Sequence, residues 1–495
     1  MAGDWVMNMN ADFHAGKRAS APGAANTTAP EPAANAIAVI GAGFSGTCAA
    51  IQLRRRLPAA WDIHLVERSG SFARGLAYAD TPLPHLLNVR AANMSAFADD
   101  PGHFERWLEI NAAGWPQDLF RTEAGNFATR RLYGQYLEAV LQGEIATSGG
   151  RVRLVTEQVE ALAPDAAGWQ LHCAGGSTLS ARGVVLAMGN LPADLPCGGV
   201  EFHNPWDPRS IAGLDAKAPV LIIGTGLTMV DLVMSLRAQG FRGPIIALSR
   251  RGLLPQPHAA IGLPWPTPVF SRADGATALA LFQAIRAELR AAAANDIGWR
   301  AVIDSLRPLT QELWRGLPPE ERARFLRHIR PYWDVHRHRM APPAAKILTE
   351  LRADGALRIL RGRVRNIRPA AGRAEVTYDE CPSGTRRTLA VQRVIHATGL
   401  QGVRAGGGLA RALLDSGLAR LDAQGLGMDV TTNFNVISAS GTSAPTLWAL
   451  GPIVRGTFWE CIAVPDIRQQ ASTLAREIAA TAVGVRGQHV SERDL

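Results

Sequence analysis

Two glycine-rich turns, each placed directly after an apolar strand, constrain this chain more than anything else in it. The first strand, 36–40, runs into Gly41-Ala-Gly43-Phe44-Ser45-Gly46; the second, 219–223, runs into Gly224-Thr-Gly226-Leu227-Thr228-Met229. A strand, a turn of this kind and a helix open a dinucleotide-binding βαβ unit. Glycine permits the tight turn and the close approach of backbone to a pyrophosphate, and the helix N-terminus offers N–H groups to the phosphates. The strands that follow end differently: 63–66 leads into Glu67 and Arg68, whereas 244–248 leads into Ser249, Arg250 and Arg251. A carboxylate accepts hydrogen bonds from both hydroxyls of an adenosine ribose, while a hydroxyl followed by two guanidinium groups suits a ribose carrying a 2′-phosphate. The pattern predicts two different dinucleotides, FAD on the first unit and NADPH on the second.

Met229 takes the place of the third glycine in the second turn. That position packs helix against strand rather than touching phosphate, so a larger side chain is tolerated where the nucleotide is exchangeable. Asp231, on the same helix, reads either as a surface polar residue or as a residue ordering the turn. Two further segments resemble each other, Val184-Val-Leu-Ala187-Met-Gly189 and Val394-Ile-His-Ala397-Thr-Gly399. An apolar strand ending on Ala-x-Gly lets the backbone cross closely beside a nucleotide. One such segment precedes the second unit and one follows it, as expected if the second unit is inserted into the first.

The expected fold is therefore α/β, with two Rossmann-like dinucleotide-binding domains, the NADPH domain inserted in the FAD domain, and a helical insertion. In residue ranges this gives a flexible tail at 1–35, the first part of the FAD domain at 36–212 and the first part of the NADPH domain at 213–275. A helical insertion at 276–351, the second part of the NADPH domain at 352–399 and the C-terminal part of the FAD domain at 400–495 follow. The insertion is read from apolar residues at helical spacing, Leu281, Ile285 and Leu289 in one helix and Val302, Ile303, Leu306 and Leu313 in the next. Strands are expected to resume at 357–364, 374–378 and 391–396.

The 495 residues are 47% hydrophobic and 19% charged, enough apolar content for several proper cores. A net charge of +9 over this length is modest, and basic clefts equally suit phosphorylated cofactors, so no nucleic-acid partner is expected. The five cysteines form no CxxC pair, which fits a reducing compartment and disfavours a dithiol reductase. No run approaches a membrane span and no basic-then-apolar leader opens the sequence, so the expected location is cytoplasmic, with no membrane partner.

The order GAGFSG, Glu67, AMG, GTGLTMVD, SRR, ATG resembles the two-dinucleotide-binding-domain flavoproteins that include flavin-containing, Baeyer-Villiger and N-hydroxylating monooxygenases. Leu87-Asn88-Val89, Phe97-x-Asp99-Asp100-Pro101, residues 325–339, Ala449-Leu-Gly451-Pro452 and Trp459-Glu460 are similar to a bacterial FAD/NAD(P)-binding family. The likeness spans nearly all of 36–476. It implies cofactor contacts at the glycines of both turns, at Arg68, Val159, Gly189 and Gly399, and at Gly451, Pro452 and Gly456 over the isoalloxazine. Pro452 departs from the Gly-Asp that many relatives carry there.

The segment 197–206 partly matches the monooxygenase linker FxGxxxHxxx(W/Y), with Gly199 and His203 correctly separated, Cys197 in place of Phe, and Trp206 one residue early. His203, from this segment, and Asn88, from the Leu87-Asn88-Val89 stretch, are the candidate catalytic residues, with His203 equally readable as a hydrogen-bonded linker histidine. The basic run 327–339 offers Arg330, Arg337 and Arg339 either as a wall gripping a carboxylate substrate or as a solvated helix face. No metal is expected there, because His336 and His338 alternate and arginines would repel an ion.

The resemblance implies an NADPH-dependent FAD monooxygenase that uses molecular oxygen. It would oxidise a small polar metabolite, by N-hydroxylation of an amino acid or amine or by hydroxylation of a nitrogen heterocycle, through a flavin C4a-hydroperoxide. Two alternatives stay open: an NADPH-dependent flavin dehydrogenase without oxygen insertion, and a non-catalytic flavin-binding sensor. Oligomeric state is not legible.

Overall fold

The structure, a computed structural model, describes residues 35–79, 85–189, 199–271, 273–370, 372–399 and 407–490, the last eight by backbone alone. Residues 1–34 of the expected tail, Cys197 of the linker segment and the opening residues 400–406 of the C-terminal part lie outside it.

In chain order the first strands are β1 (Ala36–Ile40), β2 (Asp62–Val66), a hairpin of β3 (Leu119–Thr122) and β4 (Gly125–Ala128), and β5 (Val152–Val155). A small antiparallel sheet of β6 (Val159–Asp165), β7 (Gly168–Cys173) and β8 (Thr178–Ala181) precedes β9 (Gly183–Leu186). Next come β10 (Glu201–Phe202), β11 (Val220–Ile223), β12 (Ile245–Ser249), β13 (Leu357–Ala370), β14 (Arg373–Glu380), β15 (Arg386–Val391) and β16 (Arg393–His396). The strands β17 (Asn435–Ile437) and β18 (Ser443–Ala449) follow.

One sheet has the order β5-β2-β1-β9-β18-β17 and the other β15-β14-β13-β12-β11-β16-β10. The runs β5-β2-β1-β9-β18 and β13-β12-β11-β16-β10 are parallel throughout. The strands that lead into the glycine turns, β1 and β11, lie inside their sheets, and winding reverses beside them, between β1 and β9 and between β11 and β16. Open α/β sheets bind ligands at such a reversal. Every strand of the second sheet falls in sequence between β9 and β17, so the second unit is inserted in the first.

The parallel strands are apolar on both sides because both faces are covered. In the second sheet Val220, Ile222, Ile245, Ala247 and Ile395 share a core with Met229, Val233 and Leu236 of helix Leu227–Ala238. The alternate residues Leu221, Ile246, Leu248 and Val394 pack against Val376 and Tyr378 of the antiparallel meander, as the two-residue side-chain period of a strand requires. Met229 is fully buried in the first of these cores. Gly46 has no such freedom, since a Cβ there would overlap the carbonyl oxygen of Gly41.

Between β12 and β13 lie helices Ala278–Ala294, Trp299–Ser305, Thr310–Gly316 and Pro319–Arg324, a π-turn Phe325–Ile329, and helices Arg330–Arg337 and Pro342–Ala353. The single helix expected across 302–313 is two helices, because Pro308 cannot continue the first and sits in a 3₁₀ turn, Arg307–Leu309. The strand expected at 391–396 is likewise divided at Gln392, whose backbone N–H turns to the Pro219 carbonyl. None of the helices among the described residues is long and apolar enough to cross a membrane.

The two units are held together by paired polar groups. Arg130, the first residue of helix Arg130–Ala146, meets Asp231 at 3.0 Å, and His85 Nε2 lies 2.6 Å from Ser235 Oγ. Asp231 is 7% exposed, so it is not a surface polar residue: its carboxylate joins the units. Removing one member of a largely buried pair leaves the other charge uncompensated. Asp231→Ala is expected to lower the unfolding free energy by about 3 kcal/mol in urea titrations, with Asp231→Asn losing less.

Candidate functional site

Each glycine turn is shaped by a carbonyl of the neighbouring strand. Gly41 has φ +97° and Gly224 φ +118°, a backbone region that favours glycine. A Cβ on Gly41 would lie 2.6 Å from the Ala187 oxygen, and one on Gly224 would overlap the Ala397 oxygen. Gly41 and Gly224 donate their N–H groups to Val66 and Leu248, each at 2.8 Å. Ala187 and Ala397 donate to Ile40 and Ile223, also each at 2.8 Å. The two Ala-x-Gly strand ends are thus the partners of the two turns, and the turns sit at the winding reversals.

Helices Phe44–Arg56 and Leu227–Ala238 start at Gly43 and Gly226, neither of which has a side chain to cap them. Their first-turn N–H groups are left for an anion. A Cβ on Gly226 would meet nothing within 4 Å, and the same holds at Gly189 and Gly399, so this backbone is open to a ligand. Leu227 and Thr228 are half-buried in the first turn of their helix. In the first unit Gly75 crosses over Gly43, and Phe44 is buried against Tyr78 and Tyr133. Glu67 stands at the end of β2, with Oε2 accepting from Ala42 N at 3.1 Å and Oε1 from Ser69 N at 3.1 Å. Arg68 beside it is exposed, and Val159 is buried at the start of β6.

The end of β12 is built differently. Ser249 Oγ lies 2.9 Å from Thr225 Oγ1 and accepts from Gly252 N at 3.0 Å, so its hydroxyl holds the glycine turn against the next loop. Arg250 is exposed. Arg251 donates to the Arg327 carbonyl at 3.3 Å and lies over the Tyr332 ring at 5.5 Å. Arg361 of β13 is the register partner of Ser249, and its Cβ sits 3.4 Å from where a Gly252 Cβ would be. It places a third arginine at this corner from a distant part of the chain, and only strand pairing could have revealed it.

The C-terminal loop links the first turn to the helical block. Gly451, at φ +78°, packs on Ser45: a Cβ there would lie 2.5 Å from Ser45 Oγ. Its N–H donates to Gln470 Oε1 at 3.1 Å, and its carbonyl accepts from Cys461 Sγ at 3.1 Å. Burial pushes the Cys461 thiol up to about 12, so it remains a donor. Tyr133 Oη is buried with no hydrogen-bond partner among the described residues. Pro452 is the second residue of the 3₁₀ turn Gly451–Val454. A Cβ on Gly456 would overlap the Asp422 carboxylate, and its carbonyl accepts from Trp314 Nε1 at 2.8 Å. Gly456 is therefore glycine because of Asp422.

The structure does not bring the two candidate catalytic residues into one cluster. His203 follows β10, its ring stacked on His396 at 4.2 Å between centroids. Glu201 Oε1 lies 2.7 Å from His396 Nε2 and 3.4 Å from His203 Nε2. Glu201 and His396 were not legible as partners of His203, since the parallel pairing of β10 with β16 creates the group. One donor atom from each of the three lies within 4.8 Å of the others. Asn88 belongs to another group, its carbonyl accepting from His258 Nε2 at 3.0 Å. Arg90 reaches the Ala259 carbonyl at 3.0 Å beside it.

The three arginines expected to grip a substrate have internal partners. Arg339 is 2% exposed and pairs with Asp304 at 2.6 and 3.1 Å. Arg337 donates to the buried Glu460 at 2.9 Å, and Arg330 to Asp334 at 3.1 Å. Neither a free carboxylate clamp nor a solvated face describes Arg337 and Arg339. They fasten helix Arg330–Arg337 and its end to Glu460 and to helix Trp299–Ser305.

Residues 38–191 match the protein family described as FAD-NAD(P)-binding. No curated protein matches the chain. Among solved structures it is similar to the ornithine N-hydroxylase of Kutzneria sp. 744, determined with reduced FAD, NADP+ and L-ornithine, at TM-score 0.58 and 14% identity over 91% of this chain and 100% of that one. L-lysine 6-monooxygenase from Pseudomonas syringae gives TM-score 0.58 and 17% identity over 91% and 99%. The FAD-bound cadaverine monooxygenase of Erwinia amylovora gives 0.56 and 13% over 90% and 94%. The fold is that of the two-dinucleotide-binding-domain flavoproteins.

Burial holds His258 down at about 4, assisted by Arg90 and Arg339 and opposed by the Asn88 hydrogen bond and Asp304. A histidine whose folded pKa lies below its unfolded value near 6.5 takes up its proton preferentially in the unfolded chain between those values. Its contribution is complete above pH 6.5 and is lost as pH falls toward 4. The wild type is expected to lose up to about 3 kcal/mol through this group over that window, and His258→Asn to show a correspondingly flatter dependence in denaturant titrations at each pH.

Proposed function

We propose that the chain is an NADPH-dependent FAD monooxygenase that oxygenates a small-molecule substrate with molecular oxygen. The observation that carries this reading is the pair of glycine turns at the two winding reversals, one followed by Glu67 and the other flanked by Arg250, Arg251 and Arg361. FAD fits the first turn: Gly41, Gly43 and the N–H groups of Phe44, Ser45 and Gly46 would take the pyrophosphate, and Glu67 the ribose. NADPH fits the second, with Gly224, Gly226, Leu227 and Thr228 at the pyrophosphate and the guanidinium groups at the 2′-phosphate.

When bound, FAD supplies the passage of two electrons from NADPH to oxygen. The overall balance is substrate, O2, NADPH and a proton giving oxygenated substrate, NADP+ and water. The chain supplies binding, orientation and exclusion of water. The segment Gly451–Val454, seated on Ser45 through Gly451, closes one side of the first turn; Trp314, Trp459 and Phe325 close the space beyond it with stacked and edge-on rings. The described cysteines are free thiols, and burial keeps Cys48 and Cys461 protonated, which supports oxygen rather than a protein dithiol as the electron acceptor.

The names of the similar structures point to oxygenation at nitrogen, as in N-hydroxylation of a small polar amino acid or amine. Hydroxylation of a nitrogen heterocycle is the second reading. It is favoured by the internal pairing of Arg337 and Arg339, which withdraws the groups that would have gripped a carboxylate. A cytoplasmic location accords with the reducing state such thiols need.

FAD-loaded protein is expected to be reduced by NADPH faster than by NADH, and under 18O2 to place one labelled atom in the product. Hydrogen peroxide without labelled product across amines and heterocycles would instead establish a dehydrogenase, and flavin that NADPH leaves oxidised would establish a sensor. Arg250→Ala with Arg251→Ala is expected to cut kcat/KM for NADPH by roughly 10- to 100-fold while sparing NADH. Arg361→Ala is expected to give a smaller loss of the same sign.

A further inference from the structure

At its edge the second sheet gathers three potential metal ligands. In the parallel pair of β10 and β16, Glu201 lies opposite Val394 and Phe202 opposite Ile395, and the same register carries His203 to the side of His396. Residues two apart on a strand share a face, so Glu201, His203 and His396 stand together on the face opposite to Phe202 and Ile395. All three are half-buried: a solvated ion can reach them, and the strands already hold them close.

Glu201 Oε1 lies 2.7 Å from His396 Nε2 and 3.4 Å from His203 Nε2, and one donor atom of each residue is within 4.8 Å of the others. Ligands about 2.0–2.2 Å from a tetrahedral Zn2+ ion are themselves about 3.3–3.6 Å apart, so one ion can gather this set with small movements. Among the described residues Glu201 pairs only with these two histidines, and no arginine or lysine competes for its carboxylate. Two imidazoles and a carboxylate suit Zn2+ and its transition-metal neighbours rather than Mg2+ or Ca2+.

The apo arrangement and the loaded one differ in two ways. The two rings lie 23° from parallel, and an ion cannot sit in both ring planes of such a stack, so one ring turns about its Cβ–Cγ bond as the ion enters. The ion also replaces the hydrogen shared by Glu201 and His396, which leaves each ligating imidazole neutral with its proton on Nδ1.

The place of the group in the fold gives such an ion something to do. The chain enters the second unit through β10 and leaves it through β16. His396 is the register partner of Ile223, and Ala397 beyond it carries the oxygen that shapes the Gly224 turn. We propose that Glu201, His203 and His396 form a site for one divalent transition-metal ion, Zn2+ in the first instance, that clamps the entering strand to the leaving one. Water completes the coordination, as in sites with three protein ligands. The ion transfers no electrons, so its presence is independent of the monooxygenase reading and is measured without NADPH or oxygen.

After treatment with chelator and its removal, the FAD-loaded full chain at neutral pH is expected to take up one Zn2+ per chain in equilibrium dialysis. Co2+ as a probe is expected to show visible d–d absorption without the near-ultraviolet band of a thiolate ligand. The urea midpoint is expected to rise with Zn2+ concentration, because the ion binds the folded state. His396→Phe keeps a ring to stack on His203 and removes the nitrogen, and Glu201→Gln keeps the shape and removes the charge. The first is expected to weaken Zn2+ binding by about 100-fold or more and the second by about tenfold or more, since loss of a partner outside a ligand set already costs about 10- to 100-fold. No uptake, a thiolate band, or uptake that survives both substitutions overturns the site; the three residues are then a hydrogen-bonded cluster, and any bound ion rests on other histidines or on cysteine. Should His396→Phe not fold, Glu201→Gln and the Co2+ spectrum of the wild type decide.

Discussion

The architecture depends on one repeated contact, a glycine with no Cβ lying against the carbonyl of an alanine that ends the adjacent strand. Gly41 meets Ala187 and Gly224 meets Ala397, each where sheet winding reverses. This contact sets the direction in which each following helix leaves its turn, and hence where its free N–H groups point. The two units differ one turn later. Gly46 must be glycine because its own helix presses on Gly41, whereas Met229 joins an apolar core. The first turn is the more tightly packed of the two, as suits a nucleotide that stays; the second is open at Gly226, as suits one that leaves.

What could be read from the chain in advance was whatever is local. Strands β1, β2, β9, β11 and β12 are short apolar runs with punctuation at their ends, and the Gly-x-Gly turns follow directly on β1 and β11. The Ala-x-Gly ends were legible as similar segments because each repeats the same contact. Pairings over long sequence distances were not legible. Arg337 and Arg339 belong to a run of cations in sequence, yet in space they answer Glu460 and Asp304. Arg361 reaches Ser249, and Glu201 reaches His396, only through strand register.

The helical block shows a different limit. Leu281, Ile285 and Leu289 at helical spacing announce an apolar face, but periodicity is indifferent to whether that face meets a packed core or an enclosed space. Here it meets a space, walled on the far side by a loop more than a hundred residues further on. The strand β15 was missed for a related reason: four of its six residues are exposed, so burial imposes no strict alternation on it.

The insertion of one unit in the other has a consequence for how the protein comes into being. The strand β18 hydrogen-bonds to β9, and helix Val464–Val490 packs on helix Phe44–Arg56, with Arg56 reaching Ser472 at 3.2 Å. Both complete a sheet and a core that were begun at the opposite end of the polypeptide. On the ribosome the earlier half must wait with an unfinished edge while the whole interior unit emerges and folds, and it is sealed only when the last segments arrive. Prosthetic-group capture is thereby a terminal event of biosynthesis, and chains truncated near their carboxyl end would be born unable to retain it.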